Sequence, residues 1–181
     1  MDSHRMMTIK SILLSVIFIY SLHLHAQWNI RYIEPNGHDL YSINFCNPLN
    51  GLAAGESGTI LSTRDGGLNW QQNNSGTSHH LRSIVISTNG ECWAAGDSGT
   101  IIQSTDTATT WHPQTSTTGY NLLSISRYSD DILWICGAKG TLLHTITGGS
   151  YWQMQYSGTT HNLNSIFFFD LYNGCAVGDS G

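Results

Sequence analysis

From Leu40 to Phe45 the chain reads LYSINF, apolar and polar by turns, the period of a half-buried strand. A turn cluster follows at Asn47-Pro48-Leu49-Asn50-Gly51, then a run of small residues, Leu52-Ala53-Ala54-Gly55, that predicts a second strand. Glu56-Ser57 stands between Gly55 and Gly58, a G-x-x-G arrangement that predicts a tight hairpin, glycine accepting positive φ at no steric cost. Thr59 to Thr63 (TILST) is β-rich in composition and predicts a third strand; a turn then leads to Trp70, which begins a short outer strand. The whole pattern returns every 41 residues without a gap: Leu40, Leu81, Leu122 and Leu163 are in step, and so are Trp70, Trp111 and Trp152. Gly96/Gly99 and Gly137/Gly140 repeat the hairpin glycines, and Gly178 to Gly181 opens a fourth copy.

Self-similarity at this period signals a repeat architecture, and four short antiparallel strands per copy match a β-propeller blade. The expected fold is therefore all-β, with blades at 40–80, 81–121 and 122–162 and a truncated one at 163–181. No helix is needed in the mature chain. Gln27 to Ile33, with Trp28, reads as an outer strand lacking the rest of its blade. About three and a half blades do not close a ring, so the chain reads as a partial propeller from a longer protein.

The first 26 residues differ from the rest: Arg5 and Lys10 precede an apolar run from Ile12 to Leu22, ending at His25-Ala26. A run of about a dozen residues is short of the roughly 20 needed to span a bilayer and suits a signal peptide, with cleavage expected after Ala26. The mature chain at 27–181 is expected to be exported and not membrane-spanning. Charged residues make up only 10% of the chain, the formal net charge is -5, and the few Lys and Arg are scattered. No basic stripe tracks a phosphate backbone, which excludes nucleic acid as a partner class. Cys46, Cys92, Cys136 and Cys175 fall at unmatched repeat positions, with no CxxC. They read as small buried hydrophobes, with a Cys92 to Cys136 disulfide left open.

Each repeat closes on one motif. Thr63, Asp65, Gly67 and Trp70 give [ST]-x-D-x-G-x-x-W; Ser104, Asp106 and Trp111 nearly repeat it, and Thr145, Gly149 and Trp152 carry it with Thr147 in place of the acid. An Asp here is expected to accept hydrogen bonds from backbone N–H groups two and three residues on, while Gly allows the reversal and Trp folds over the turn. In the third copy Thr147 requires the turn to be held otherwise. This spacing is the Asp box, or bacterial neuraminidase repeat, and the consensus G-[DE]-x-G-T-I-L-x-T-x-D-G-G-x-x-W resembles the repeats of the photosystem II stability and assembly factor family. The likeness covers Leu40 to Gly181. It implies a propeller, and a lumenal, non-catalytic binding role in photosynthesis; similar repeats in secreted bacterial proteins make the role the looser implication.

Asp boxes also occur in sialidases and glycoside hydrolases. A sialidase needs an arginine cluster, and only Arg31, Arg64, Arg82 and Arg127 follow the leader. Glu56, Asp97 and Asp179 are the candidates for the two carboxylates of a glycosidase, but they occupy equivalent hairpins and suit the turns themselves. His38, His79 and His161 are in register with Tyr120, and His80 adjoins His79; an imidazole ring on one rim is a metal or pH site, against which stands the ordinary polar loop. Asp65 and Asp106 offer one acid per turn, too few for Ca²⁺. Trp93, Trp134, Tyr120, Tyr151 and Tyr156 are aromatic platforms if exposed and blade packing if not. The resulting expectation is a non-enzymatic scaffold without cofactor or metal, for a protein partner and with glycan as a further ligand. The rival is a secreted hydrolase whose acids lie in further blades.

Overall fold

The computed structural model describes residues 37–180. The expected leader (1–26), its cleavage point and the outer strand at Gln27 to Ile33 lie outside the described residues. Fourteen strands follow in chain order. The first sheet holds β1 (Leu40–Phe45), β2 (Gly51–Gly55), β3 (Ile60–Thr63) and β4 (Gln71–Asn73). The second holds β5 (Leu81–Ile86), β6 (Cys92–Gly96), β7 (Ile101–Ser104) and β8 (His112–Gln114). The third holds β9 (Leu122–Arg127), β10 (Leu133–Gly137), β11 (Leu142–Thr145) and β12 (Gln153–Met154). β13 (Leu163–Phe168) and β14 (Gly174–Gly178) form a two-stranded fourth sheet. Within each sheet the spatial order is the chain order and every pairing is antiparallel. This is the blade pattern of a propeller, without a closed ring.

No single sheet can bury both of its faces, so the sheets stack. Leu52, Ala54 and Ile60 of the first meet Ile84, Ile102 and Trp111 of the second in one core. Trp93 and Ile101 of the second meet Ile125, Leu143 and Trp152 of the third in the next. The small residues of the second strands permit this approach: every residue of β2 and β6 is buried.

The innermost strand of each blade pairs on one side only, which leaves its alternate N–H groups without a ladder partner. The preceding blade supplies acceptors. Ile84 N donates to Ser42 Oγ (3.2 Å), Ile125 N to Ser83 Oγ (3.1 Å) and Ile166 N to Ser124 Oγ (3.3 Å). Ile86 N donates to Asn44 Oδ1 and Phe168 N to Ser126 Oγ, so small polar side chains stitch blade to blade near the axis.

The G-x-x-G segment differs from the expected two-residue hairpin. It is a single 3-10 turn at Glu56–Gly58, Asp97–Gly99 and Ala138–Gly140, the only helical turns among the described residues. Gly58, Gly99 and Gly140 have φ of +73, +70 and +70, but so do non-glycines in the seats before them: Ser57, Ser98 and Lys139 have φ between 53 and 57. Gly55, Gly96 and Gly137 are extended (φ −167, −164 and −170), so positive φ is not their reason. They are glycine because a Cβ would lie 2.0, 1.9 or 2.1 Å from the carbonyl oxygen of Asp39, His80 or Asn121. Those carbonyls accept from the first N–H of each turn, at 2.8, 2.9 and 2.8 Å.

Candidate functional site

The motif that closes each repeat makes the same turn three times. Thr63 Oγ1 accepts from the N–H of Asp65 and Gly67 and donates to Asp65 Oδ1. Asp65 accepts from the backbone and side-chain amides of Asn69, four residues on rather than two or three as expected. Asp106 likewise takes the N–H and hydroxyl of Thr110, with Ser104 in the place of Thr63. In the third copy the hydroxyl of Thr147 stands in for the carboxylate, accepting from Tyr151 N at 3.2 Å. The reversal needs a left-handed residue: Gly67 and Gly149 have φ of 86 and 93. Ala108 takes the same seat at φ 63, its methyl fully buried in the first inter-blade core, which offsets the backbone cost.

Hydrogen bonds to Asn69 and Thr110 hold the carboxyls of Asp65 and Asp106 down at about 2, below the ordinary value of 3.8. A depressed carboxyl contributes stability that is complete above the unfolded value and is lost as pH falls towards the folded one. Unfolding midpoints in urea are therefore expected to drop as pH is lowered from about 4 to about 2. Asp65→Asn and Asp106→Asn should flatten that part of the curve.

The candidate acid pair is not assembled; each acid is engaged by groups beside its own turn. A register shift at residues 41, 82, 123 and 164 bulges every inner strand, and in the second and fourth the bulged side chain, Arg82 or Asn164, reaches the adjacent turn. Arg82 thereby grips Asp97 in a bidentate pair, Nε to Oδ1 at 2.9 Å and Nη2 to Oδ2 at 2.8 Å, and lies over the Tyr41 ring. That guanidinium holds the Asp97 carboxyl below its usual range. Asp179 accepts from Asn162 and Asn164, and Glu56 from Asp39 N.

The residue just before each leading Leu does a second job that sequence reasoning missed. Ser57 N donates to His80 Nδ1, Ser98 N to Asn121 Oδ1 and Lys139 N to Asn162 Oδ1, all at 3.0 Å, so the last residue of each repeat caps that repeat's own turn just before the next blade begins. His38 Nδ1 lies 2.9 Å from Thr59 Oγ1, and the backbones of His79 and His161 bond to Thr77 and Thr159. Among the described residues no three His, Cys, Asp or Glu side chains converge as metal ligands.

The two tryptophans weighed as platforms are packing residues. Trp93 is fully buried and its Nε1 donates to the Gly148 carbonyl of the next blade's turn at 3.1 Å. Trp134 stacks between His144 (3.9 Å) and Phe168 (4.3 Å). Tyr120, Tyr151 and Tyr156 are exposed, Tyr120 beneath the Lys139 ammonium. The cysteines are unpaired. Cys92 belongs to the first inter-blade core, whereas Cys136 donates to the Leu163 carbonyl of the fourth blade, so the open Cys92 to Cys136 disulfide does not form. Burial pushes both thiols up to about 12. Cys175 is exposed, against the expectation of burial.

One groove draws on all four blades. The ends of β1, β5, β9 and β13 meet around a space of about 330 Å³ that includes Phe45, Val85, Ser126, Arg127 and Phe167. Phe45 and Phe167 are 40% and 65% exposed, so apolar surface is presented at both ends of the groove. Arg127 pairs with Asp130 at 3.0 Å and stays half-exposed. The arrangement offers apolar contact, hydroxyl and amide groups and a charged rim, and no reacting constellation.

Comparison with solved structures finds the same architecture elsewhere. The chain is similar to YCF48 bound to D1 peptide, with a TM-score of 0.65 and 19% identity over 76% of this chain and 49% of that one. It is similar to YCF48 from Cyanidioschyzon merolae, with a TM-score of 0.58 and 22% identity over 67% of this chain and 38% of that one. An ancestral GH74 enzyme also shares the fold, with a TM-score of 0.57 and 15% identity over 73% of this chain and 20% of that one. The chain thus spans half or less of each of these proteins. No curated protein matches it. The family model described as photosynthesis system II assembly factor YCF48 matches residues 21–114 and 112–181, which together take in the blades and the turns described above, and the chain belongs to that family.

Proposed function

We propose that the protein is an exported, non-catalytic propeller scaffold that binds an extended segment of a protein partner in the axial groove. The observation that carries this reading is the convergence of four blades on one open groove, with Phe45 and Phe167 at its two ends and Arg127 at its rim. Two supports stand behind it: the family to which the chain belongs, and the YCF48 structure that holds a D1 peptide. The hydrolase reading, with its acids in further blades, has fold likeness to GH74 enzymes alone; of the acids weighed within this chain, Asp97 and Asp179 are tied to Arg82 and to Asn162 and Asn164. Export rests on the basic and apolar pattern of the leader.

The test is titration of the chain with a D1 peptide, read by fluorescence anisotropy beside hydrolysis of a glycan panel. Saturable binding is expected, weakened about tenfold by Phe167→Ala, the loss of one aromatic contact of roughly 1.4 kcal/mol. Phe167 is largely exposed, so this change should leave the unfolding midpoint nearly unmoved. Glycan turnover that survives purification, or peptide binding indifferent to Phe167, contradicts the proposal.

A further inference from the structure

Of the three residues that cap the turns at Glu56–Gly58, Asp97–Gly99 and Ala138–Gly140, one differs in kind. His80 Nδ1 accepts from Ser57 N, whereas the same seat in the next two copies holds Asn121 and Asn162, whose Oδ1 atoms accept from Ser98 N and Lys139 N. A backbone N–H can only donate, so Nδ1 of His80 is the unprotonated ring nitrogen and the ring proton sits on Nε2. An amide oxygen in this seat accepts at any ordinary pH. An imidazole does not, because histidine is the side chain that takes up a second ring proton between about pH 5 and 8.

His80 also holds the turn that follows. Its carbonyl oxygen accepts from Asp97 N at 2.9 Å, so one residue is bonded through its side chain to the first turn and through its main chain to the second. The first turn needs holding: Ser57 sits at φ 53, a left-handed conformation that is costly for any residue but glycine. Tyr41 of β1 meets the His80 ring edge-on at 6.1 Å. Arg82 of β5 lies over Tyr41 and takes Asp97 in its bidentate pair, and the Asp97 carboxyl is held down by Arg82 first and by His80 and His79 after it. Glu56, at the start of the capped turn, accepts from Asp39 N.

We propose that His80 is a pH-operated latch between the first turn and the second, closed while its ring is neutral and opened by a proton from solvent. That proton goes to Nδ1 and makes it a donor facing a donor. The ring then turns away, and Ser57 N is left to water. The turns at Asp97–Gly99 and Ala138–Gly140 keep their amide caps. Ser57, Gly58 and Thr59 form one wall of a polar hollow of about 430 Å³ with Asn73, Asn74 and Thr77, and it is this wall that loosens in acid. The latch lies by the starts of the inner strands and the axial groove at their ends, so neither proposal depends on the other.

The test is an NMR titration of the full 181-residue chain from about pH 8 to about pH 5. At the upper limit the ring nitrogen shifts of His80 should show a proton on Nε2 alone. The protection factor of the Ser57 amide should fall about tenfold across the range, in step with the His80 ring signals, while Ser98 and Lys139 hold theirs. His80→Asn installs the side chain that serves in the other two seats, and it should keep the Ser57 amide protected throughout. His79→Gln should leave the pH dependence of Ser57 intact. A proton on Nδ1 at the upper limit, a Ser57 amide indifferent to pH, an equal loss at Lys139, a pH dependence that survives His80→Asn, or one that vanishes in His79→Gln overturns the proposal.

Discussion

Replacing Trp152 with Ala is expected to cost about 3–5 kcal/mol and to lower the denaturant midpoint accordingly. The ring is fully buried in the core shared by the second and third blades, beside Trp93, Leu133 and Leu143. It also folds over its own turn: a Cβ on Gly149 would lie 3.5 Å from Trp152 Nε1. Removing it opens a cavity against both blades, and the rigid turn cannot collapse to fill it. Its Nε1 has no protein acceptor, so the loss is one of packing, and Trp152→Phe should recover much of the stability. Trp70 is the contrasting case. It occupies the same repeat position but is only half-buried, meeting Phe45 edge-on at 6.1 Å. Trp70→Ala is expected to cost about half as much or less. Equal shifts for the two positions would contradict the assignment of Trp152 to an inter-blade core.

Gly96→Ala is expected to be comparably severe, about 3 kcal/mol or more. The added methyl would stand 1.9 Å from the His80 carbonyl oxygen, an atom of the main chain that is already fixed by Asp97 N at 2.9 Å. Either that bond breaks or β6 shifts away from β5, and β6 is buried throughout. Gly76→Ala separates this cost from that of glycine's freedom. Gly76 has φ +74 and open space around its Cα, so alanine there should lose only the 1–2 kcal/mol or so of a left-handed backbone. Unfolding curves in which Gly96→Ala is no worse than Gly76→Ala would refute the close approach.

The architecture was legible because the period is unbroken. One copy, LYSINF through Trp70, predicted three strands that the structure places within a residue or two, and repetition supplied the rest. What failed was local. Gly55 and Gly58 looked alike, yet one excludes a carbonyl and the other sits in a left-handed turn; a sequence records glycine, not its reason. The N–H two residues beyond each turn carboxylate goes instead to Thr63 or Ser104, and the carboxylates reach on to Asn69 and Thr110. Trp93 and Trp134 carried no mark of the face they would turn to the next blade. One signal was present and unread: L-x-S-I occurs at Leu40, Leu81, Leu122 and Leu163, and its Ser is the acceptor that joins consecutive blades. The axial groove was not legible, since Asn44, Val85, Ser126 and Phe167 hold one repeat position and Phe45 and Arg127 the next, yet the residue types change from copy to copy and meet only when the blades stack. Asp97 and Asp179 failed as a pair because the bulged inner strands beside them bring Arg82 and Asn164 onto their carboxylates.

Native-state amide exchange in the Ser83→Ala variant tests the stacking directly. Ile125 N donates to Ser83 Oγ across 42 positions of sequence, from one blade to the next. The Ile125 amide should be protected in the parent chain and exchange faster in the variant, while its ladder neighbours in the third blade hold. An Ile125 amide that is unprotected in the parent, or unmoved by the change at Ser83, would mean that the repeats do not lean on one another as described.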